Sequence, residues 1–302
     1  GNIPQQLKWD PAFQQQTLEI YKSLTLKEWD KTENWHADVV IWPEAAIPMF
    51  YHHAFDFIAD MDNLAENNNS AIISGVPHIS SLQPDIAEAN GERAEPAESK
   101  DKNAVYEYEI HNSIFAIGTG HGMYHKQRLV PFGEYVPLEK QIRGLIPFFD
   151  LPMSSFTPGK PNQKNLVVNK YEFAPFICYE IMYPELVQHN AKTADFLLTV
   201  SNDAWFGDSI GPKQHFEMAR FRALELGKYL LRDTNTGITA IVDQNGHIVS
   251  ESKSFERNTL RGTIYGVKGS TPFAEFGSAP ILILCGVIST LIALLASRIK
   301  PR

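Results

Sequence analysis

Cysteine is scarce in this chain: two residues, Cys178 and Cys285, among 302. A fold stapled by disulfides is excluded, and Cys285 lies inside an uncharged apolar run, so two free thiols are expected. Clustered positive charge is missing as well. The net charge is −8, and the lysines and arginines stay scattered until the last few residues, which gives nucleic acid no basic face. The first ten residues, GNIPQQLKWD, hold neither a charged n-region nor an apolar h-region, so nothing there reads as an export signal. Metal and phosphate motifs are incomplete: HGMYH at 121–125 lacks the glutamate of HExxH, and GTGHG at 118–122 does not finish GxGxxG. Neither a metal nor a cofactor is expected, and no internal repeat is visible.

What is present begins with a hydrophobic share of 43%, ordinary for a chain that buries a core. Residues 276–297, FGSAPILILCGVISTLIALLAS, contain no charge. As a helix rising about 1.5 Å per residue they would span roughly 33 Å, enough for a hydrocarbon core of about 30 Å. Arg298, Lys300 and Arg302 follow, and by the positive-inside rule they hold the C-terminus in the cytoplasm and the preceding domain on the outer side of the membrane, as part of a longer membrane protein; the alternative is a single tail helix of opposite topology. Three parts are therefore expected: a domain over 1–275, a transmembrane helix over 276–297 and a basic tail over 298–302.

Within the domain, Asp10-Pro11 predicts a helix start ahead of AFQQQTLEIYKSL, and residues 53–66 predict another helix. ADVVIWPEAAIP reads as a short buried strand stopped by Pro43, and AIISGVP, VYEYEIHNSIFAIG, YEFAPFIC and ADFLLTVSND read as further strands. Residues 122–137 predict a loop. PKQHFEMARFRALELGKYLL predicts a helix with Pro212 in its first turn, along which Arg222 and Glu225, three apart, would pair with each other. TGITAIVDQNGHIVSE predicts a hairpin about Asn245-Gly246. The polar, acidic stretch 81–103 reads as a loop insertion. Helices and strands mingle throughout, so an α/β fold with sheets covered by helices is expected.

Three segment ends carry reactive side chains: Glu44 after VVIWP, Lys126 in MYHKQRLVPFGEY and Cys178 in PFICYE. Singly each is ordinary, since a lone cysteine is usually a small core residue. Jointly they supply a nucleophile, a carboxylate base and a cation, the groups needed to attack an acyl carbon. The strings WPE, KxxLVPFGEYVP and ICYE, in this order, resemble the nitrilase (carbon–nitrogen hydrolase) superfamily. With PFGEYVP, SNDAWFG, QH and ARFRALE and an apolar helix following, the chain is similar to the lipoprotein N-acyltransferase branch of that superfamily.

That resemblance implies an αββα sandwich on the periplasmic side of a bacterial inner membrane, followed by a transmembrane helix. The reaction it implies moves an acyl chain from a phospholipid, through a cysteine thioester, to the amino group of a diacylated apolipoprotein. Glu44 takes the place of the base, Lys126 that of the oxyanion lysine and Cys178 that of the nucleophile. Glu134 matches a second glutamate that orients them, Glu180 the one just beyond the nucleophile, and the Tyr179 N–H is a second oxyanion donor. Phe132, Phe148, Phe149, Trp205 and Phe206, in loops between breakers, are candidates to line a path for acyl chains. A monomer is expected. Two rivals stand beside this reading: a membrane-tethered amidase or nitrilase, in which water takes the acyl group, and a lipoprotein-binding module without turnover.

Overall fold

The computed structural model describes residues 1–30, 32, 35–81, 108–137 and 156–298. A short helix α1 (Gln5–Lys8) leads into α2 (Pro11–Glu28), where Asp10 Oδ1 accepts from Ala12 N at 2.9 Å and Pro11 fills the first turn, where no N–H is needed. Next come β1 (Val39–Ile41), α3 (Phe55–Asn67), β2 (Ala71–Ser81), β3 (Tyr108–Gly118), β4 (Gly120–His121) and β5 (Met123–His125). They are followed by β6 (Leu166–Val168), β7 (Tyr171–Ile177), α4 (Pro184–Asn190), β8 (Phe196–Ser201) and α5 (Gly211–Leu226). Strands β9 (Leu230–Thr234), β10 (Ala240–Val242) and β11 (Ile248–Glu251) and helices α6 (Pro272–Phe276) and α7 (Ala279–Arg298) complete the described chain.

The strands form two sheets, one ordered β1-β2-β3-β5 and the other β11-β10-β9-β8-β7-β6-β4. Strands β7, β8 and β9 run parallel, and their C-terminal ends open on the same edge. Both faces of β8 are apolar because both are covered. Phe196, Leu198 and Val200 face the opposite sheet and pack with Ile73, Ile114 and Ile177. Leu197 faces the other way, toward Val187 of α4 and Phe216, Ala219 and Ala223 of α5. On the far side, Leu18 and Tyr21 of α2 and Ile58, Met61 and Ala65 of α3 cover the four-stranded sheet through Ile72, Val76 and Phe115. The layers run helix, sheet, sheet, helix, which is the αββα order expected.

Two sequence expectations change. The helix predicted as far as Leu231 ends at Leu226, because Gly227 takes the left-handed conformation at φ 63° and its N–H returns to Ala223 O. Leu230 and Leu231 then enter β9 between β8 and β10. Within the stretch predicted as a loop, Met123–His125 forms β5, a partner too short to show alternation but paired with Ser113–Phe115 of β3. The hairpin stands where predicted, with Gly246 at φ 76°. Arg222 Nη2 meets Glu225 Oε1 at 2.8 Å, the helix self-pairing expected.

Residues 82–103 of the expected insertion, Phe148, Phe149, Lys300 and Arg302 lie outside the described residues. The apolar helix begins at Ala279 and not at Phe276, since Phe276 ends α6 and Gly277 breaks the chain at φ 57°. Among the described residues Ala279–Ser297 is the one helix long and apolar enough to cross a membrane, with a mean hydropathy of 2.5 and no part of it buried. Both thiols are free; Cys178 is half-buried and Cys285 exposed.

Candidate active site

Glu44 follows β1 in a turn that lies against β2. Trp42 N donates to Ile73 O at 2.8 Å, Pro43 ends the strand, and Ala45 adopts φ 47°. The close approach depends on Gly75: a Cβ there would stand 2.4 Å from Ala45 N and 2.8 Å from Glu44 Cα, so no other residue fits. The Glu44 carboxylate is buried and doubly held, Oε1 accepting from Asn112 Nδ2 and Oε2 from Asn202 N, each at 2.8 Å.

Lys126 is the residue after β5, and its N–H donates to Asn112 O at 2.8 Å. Its ammonium, 1% exposed, stands 2.9 Å from Glu134 Oε1 and 3.6 Å from Glu44 Oε1. Burial alone would lower its pKa, but Glu134 and then Glu44 outweigh that and hold it well above the usual lysine value. Asn112 Nδ2 also donates to Glu134 Oε1 at 2.9 Å, so one amide bridges the two carboxylates. Glu134 is positioned by a tight loop: its Oε2 accepts from Val130 N at 2.8 Å, around Phe132 at φ 61°.

Cys178 comes from the other sheet, at the end of β7, where the backbone turns through φ 51° into a 3-10 turn over Cys178–Met182. Its thiol is pushed up to about 12, by burial first and by Glu44 second, with Lys126 pulling the other way. The resting thiol is therefore neutral, and attack requires a base to take its proton. The N–H of Tyr179 lies in the first turn of that short helix, where amides have no intrahelical acceptor. Glu44, Lys126 and Glu134 thus meet in one cluster, and Cys178, from the other sheet, lies near enough to feel the charges of Glu44 and Lys126.

Glu180 is fully buried and stands one step back. Its Oε1 accepts from Gln127 N at 2.6 Å, Arg128 N at 3.1 Å and Tyr124 Oη at 2.9 Å, and its Oε2 from Ile177 N at 2.8 Å. It therefore ties the residues after Lys126 to the residue before Cys178. Burial raises its pKa to about 7 despite those donors. Glu180→Gln turns one acceptor into a donor that faces an N–H, and a loss of about 2–3 kcal/mol is expected in urea unfolding. Because the folded value is raised, the carboxyl contributes stability below its ordinary value of 4.5 that is lost as pH rises through about 7; this pH dependence should vanish in the variant.

A network that the sequence reading did not assign supports the nucleophile. Arg232, 0% exposed, donates from Nη2 to Asp203 Oδ2 at 2.7 Å; Asp203 Oδ1 accepts from Ser201 Oγ at 2.7 Å and lies 3.1 Å from His215 Nδ1. His215 Nε2 reaches Cys178 O at 3.0 Å. The thiol sulfur, an Asp203 oxygen and a His215 nitrogen all lie within 4.8 Å of one another, a spacing seen in metal sites, but both ring nitrogens of His215 are engaged by protein. The network instead fixes the backbone of Cys178. Asp203 and His215 sit in SNDAWFG and QH, which carried the resemblance without a role; Asn112 left a fainter signal, a polar His-Asn-Ser inside an apolar strand. Of the apolar candidates, Phe132, Trp205 and Phe206 are exposed around this edge.

A four-layer sandwich with these groups at its inter-sheet edge defines a class, and the chain belongs to it: the carbon-nitrogen hydrolase family pattern matches residues 4–266. More particularly, the chain is 41% identical over its full length to the apolipoprotein N-acyltransferase of Pseudomonas paraeruginosa, covering 54% of that protein. It is 43% identical to the protein of that name in Vibrio cholerae over 95% of this chain and 53% of the relative. The chain thus spans about half the length of these relatives. Among solved structures, Saccharomyces cerevisiae Nit3, a member of the nitrilase superfamily, shares the fold with a TM-score of 0.53 at 17% identity, over 80% of this chain and 81% of that one.

Proposed function

We propose that this chain carries the acyl-transfer centre of an apolipoprotein N-acyltransferase, acting by a ping-pong mechanism through a thioester on Cys178. The observation that carries this reading is the ammonium of Lys126 held between Glu44 and Glu134 beside the half-buried Cys178 thiol. Glu44 takes the thiol proton as sulfur attacks an ester carbonyl of a phospholipid. The oxyanion forms against Lys126 and the Tyr179 N–H. Collapse breaks the ester C–O bond, Glu44 returns the proton to the leaving lysophospholipid oxygen, and the acyl group stays on sulfur. The α-amino group of a diacylglyceryl-cysteine then attacks the thioester carbon and gives its proton to Glu44. An amide forms, and the cysteine thiolate is expelled and reprotonated.

Acyl transfer without hydrolysis needs water excluded. Phe132, Trp205 and Phe206 would line the acyl path. The proposed division is a catalytic domain over 1–275 and a membrane span from Ala279. Ile281, Leu282 and Ile283 are 64–67% exposed, apolar surface that water would disfavour at roughly 25 cal/mol per Å² and that lipid accepts. The span is tied to the domain at its start by Ser278 Oγ donating to Glu185 Oε1 at 3.0 Å. Placement in a bacterial inner membrane is suggested by the likeness to the N-acyltransferases, and the basic residues from Arg298 onward favour a periplasmic domain with a cytoplasmic C-terminus.

Intact-mass measurement after incubation with phospholipid vesicles tests the reading. One added fatty-acyl mass is expected, absent in Cys178→Ala. Released free fatty acid with no lasting adduct would favour the hydrolase, and neither product would favour the binding module.

A further inference from the structure

Lys8, the last residue of α1, is buried to 2% exposure, and among the described residues no carboxylate lies within ion-pair distance of it. Its Nζ donates to the backbone carbonyl of Glu44 at 2.8 Å. Burial lowers its ammonium to about 8, opposed by the nearby charges of Glu44 and Cys178. It therefore stands beside the base and the nucleophile without bonding to the side chain of either.

The segment that carries Lys8 reaches the other handle of Glu44 too. Asn202, whose N–H holds Glu44 Oε2, donates from Nδ2 to Gln5 Oε1 at 2.7 Å. Asn235, which follows β9, donates to Ile3 O at 2.7 Å and to Asn202 Oδ1 at 3.1 Å. Residues 3–8 thus strap the edge of the seven-stranded sheet to the turn after β1. Against that turn Gly75 leaves no space, and Ala45 sits at φ 47°, a conformation that relaxes unless held.

We propose that Lys8 is a positioning residue of the acyl-transfer site: its ammonium pins the Glu44 carbonyl and adds a second positive charge to the pocket in which the Cys178 thiolate forms. The proposal rests on the reading of Glu44 as base and Cys178 as nucleophile. A neutral amide would serve as a clamp alone. A buried ammonium is costly to keep, and its charge is of use where a thiolate must form in a site that disfavours it.

Alkylation of Cys178 by iodoacetamide, read at the Cys178 peptide so that Cys285 does not interfere, isolates this step. The thiol proton passes to Glu44, sulfur bonds to the methylene carbon and iodide leaves. Rates are compared from about pH 6 to about pH 10 for wild type, Lys8→Met, Lys8→Gln and Glu44→Gln, each with its Tm. Lys8→Met should react at least about tenfold more slowly near neutral pH, with its rise displaced to higher pH. Its Tm should equal or exceed that of wild type, because a thioether of similar length replaces a buried charge. Lys8→Gln should recover part of the rate, through the restored carbonyl bond, and keep the displacement. Wild-type rate and pH profile in Lys8→Met would overturn the proposal; so would a lowered Tm accompanied by full recovery in Lys8→Gln, which would leave Lys8 as scaffold. An unslowed Glu44→Gln would remove the base itself, an outcome distinct from an unslowed Lys8→Met beside a slow Glu44→Gln.

Discussion

Lys126→Met should lower single-turnover thioester formation by about 10³-fold or more, the range seen when a preorganised oxyanion donor is lost. The ammonium stands 2.9 Å from Glu134 and 3.6 Å from Glu44, so it neutralises one half-buried and one buried carboxylate besides the oxyanion role proposed for it. Removing it leaves those carboxylates with the Asn112 amide between them and, among the described residues, no other cation within ion-pair distance. The thiol, already pushed up to about 12, loses the one nearby charge that pulls it down most. Lys126→Arg should not rescue, because a planar fork needs room and two-pronged acceptors where the native group is a compact point charge. Acyl-adduct formation by intact mass checks the rate, and urea unfolding separates it from a loss of fold. A variant that forms adduct within tenfold of wild type would remove Lys126 from the chemistry.

The largest effect on stability is expected at Asp203→Ala. Arg232 and Asp203 are both 0% exposed and paired at 2.7 Å, and Nη1 of Arg232 already lacks a protein partner. A buried pair contributes little net stability when intact, but breaking it strands a charge at a cost of about 3–5 kcal/mol. For a domain whose whole stability is of the order of 5–15 kcal/mol, that is a large share. Wild type carries a pH signature of the same pair. Burial would raise the Asp203 carboxyl, but Arg232, His215 and Ser201 together outweigh it and hold the group down at about 2; its contribution is fully present above 3.8 and lost as pH falls through about 2. Urea unfolding from neutral to acid pH should show that limb in wild type and not in Asp203→Ala. Because His215 leans on Asp203 and holds the carbonyl of Cys178, the variant should also alkylate Cys178 more slowly.

Much of this was legible in the chain, for physical reasons. Glu44 was findable because proline stops a strand and leaves the next polar side chain at its end; Cys178 because an apolar run that ends in a thiol, next to tyrosine and glutamate, is unusual in a chain with two cysteines. The order of these with Lys126 carried the family. Asn112, Asp203, His215 and Arg232 were not assigned because their roles depend on contacts far apart in sequence: Asn112 meets Glu44 over 68 positions, and Arg232 meets Asp203 over 29. Lys8 is a further case, an isolated basic residue whose meaning lies in a contact 36 positions away. Helix α5 was read one turn too far because Gly-Lys-Tyr-Leu-Leu continues an apolar rhythm, and only the place of β9 between two strands decides that the leucines are extended.

Ala45, Phe132 and Cys178 all hold left-handed backbone, and none is glycine. Left to themselves these three corners would each relax into ordinary extended or helical geometry. The segments that bear the chemistry therefore do not encode their own working shape; the surrounding layers impose it. Transplanting WPEA, VPFGE or ICYE into a foreign scaffold would carry over the side chains and lose the reaction. The geometry of this site belongs to the whole sandwich and cannot be inherited piecemeal.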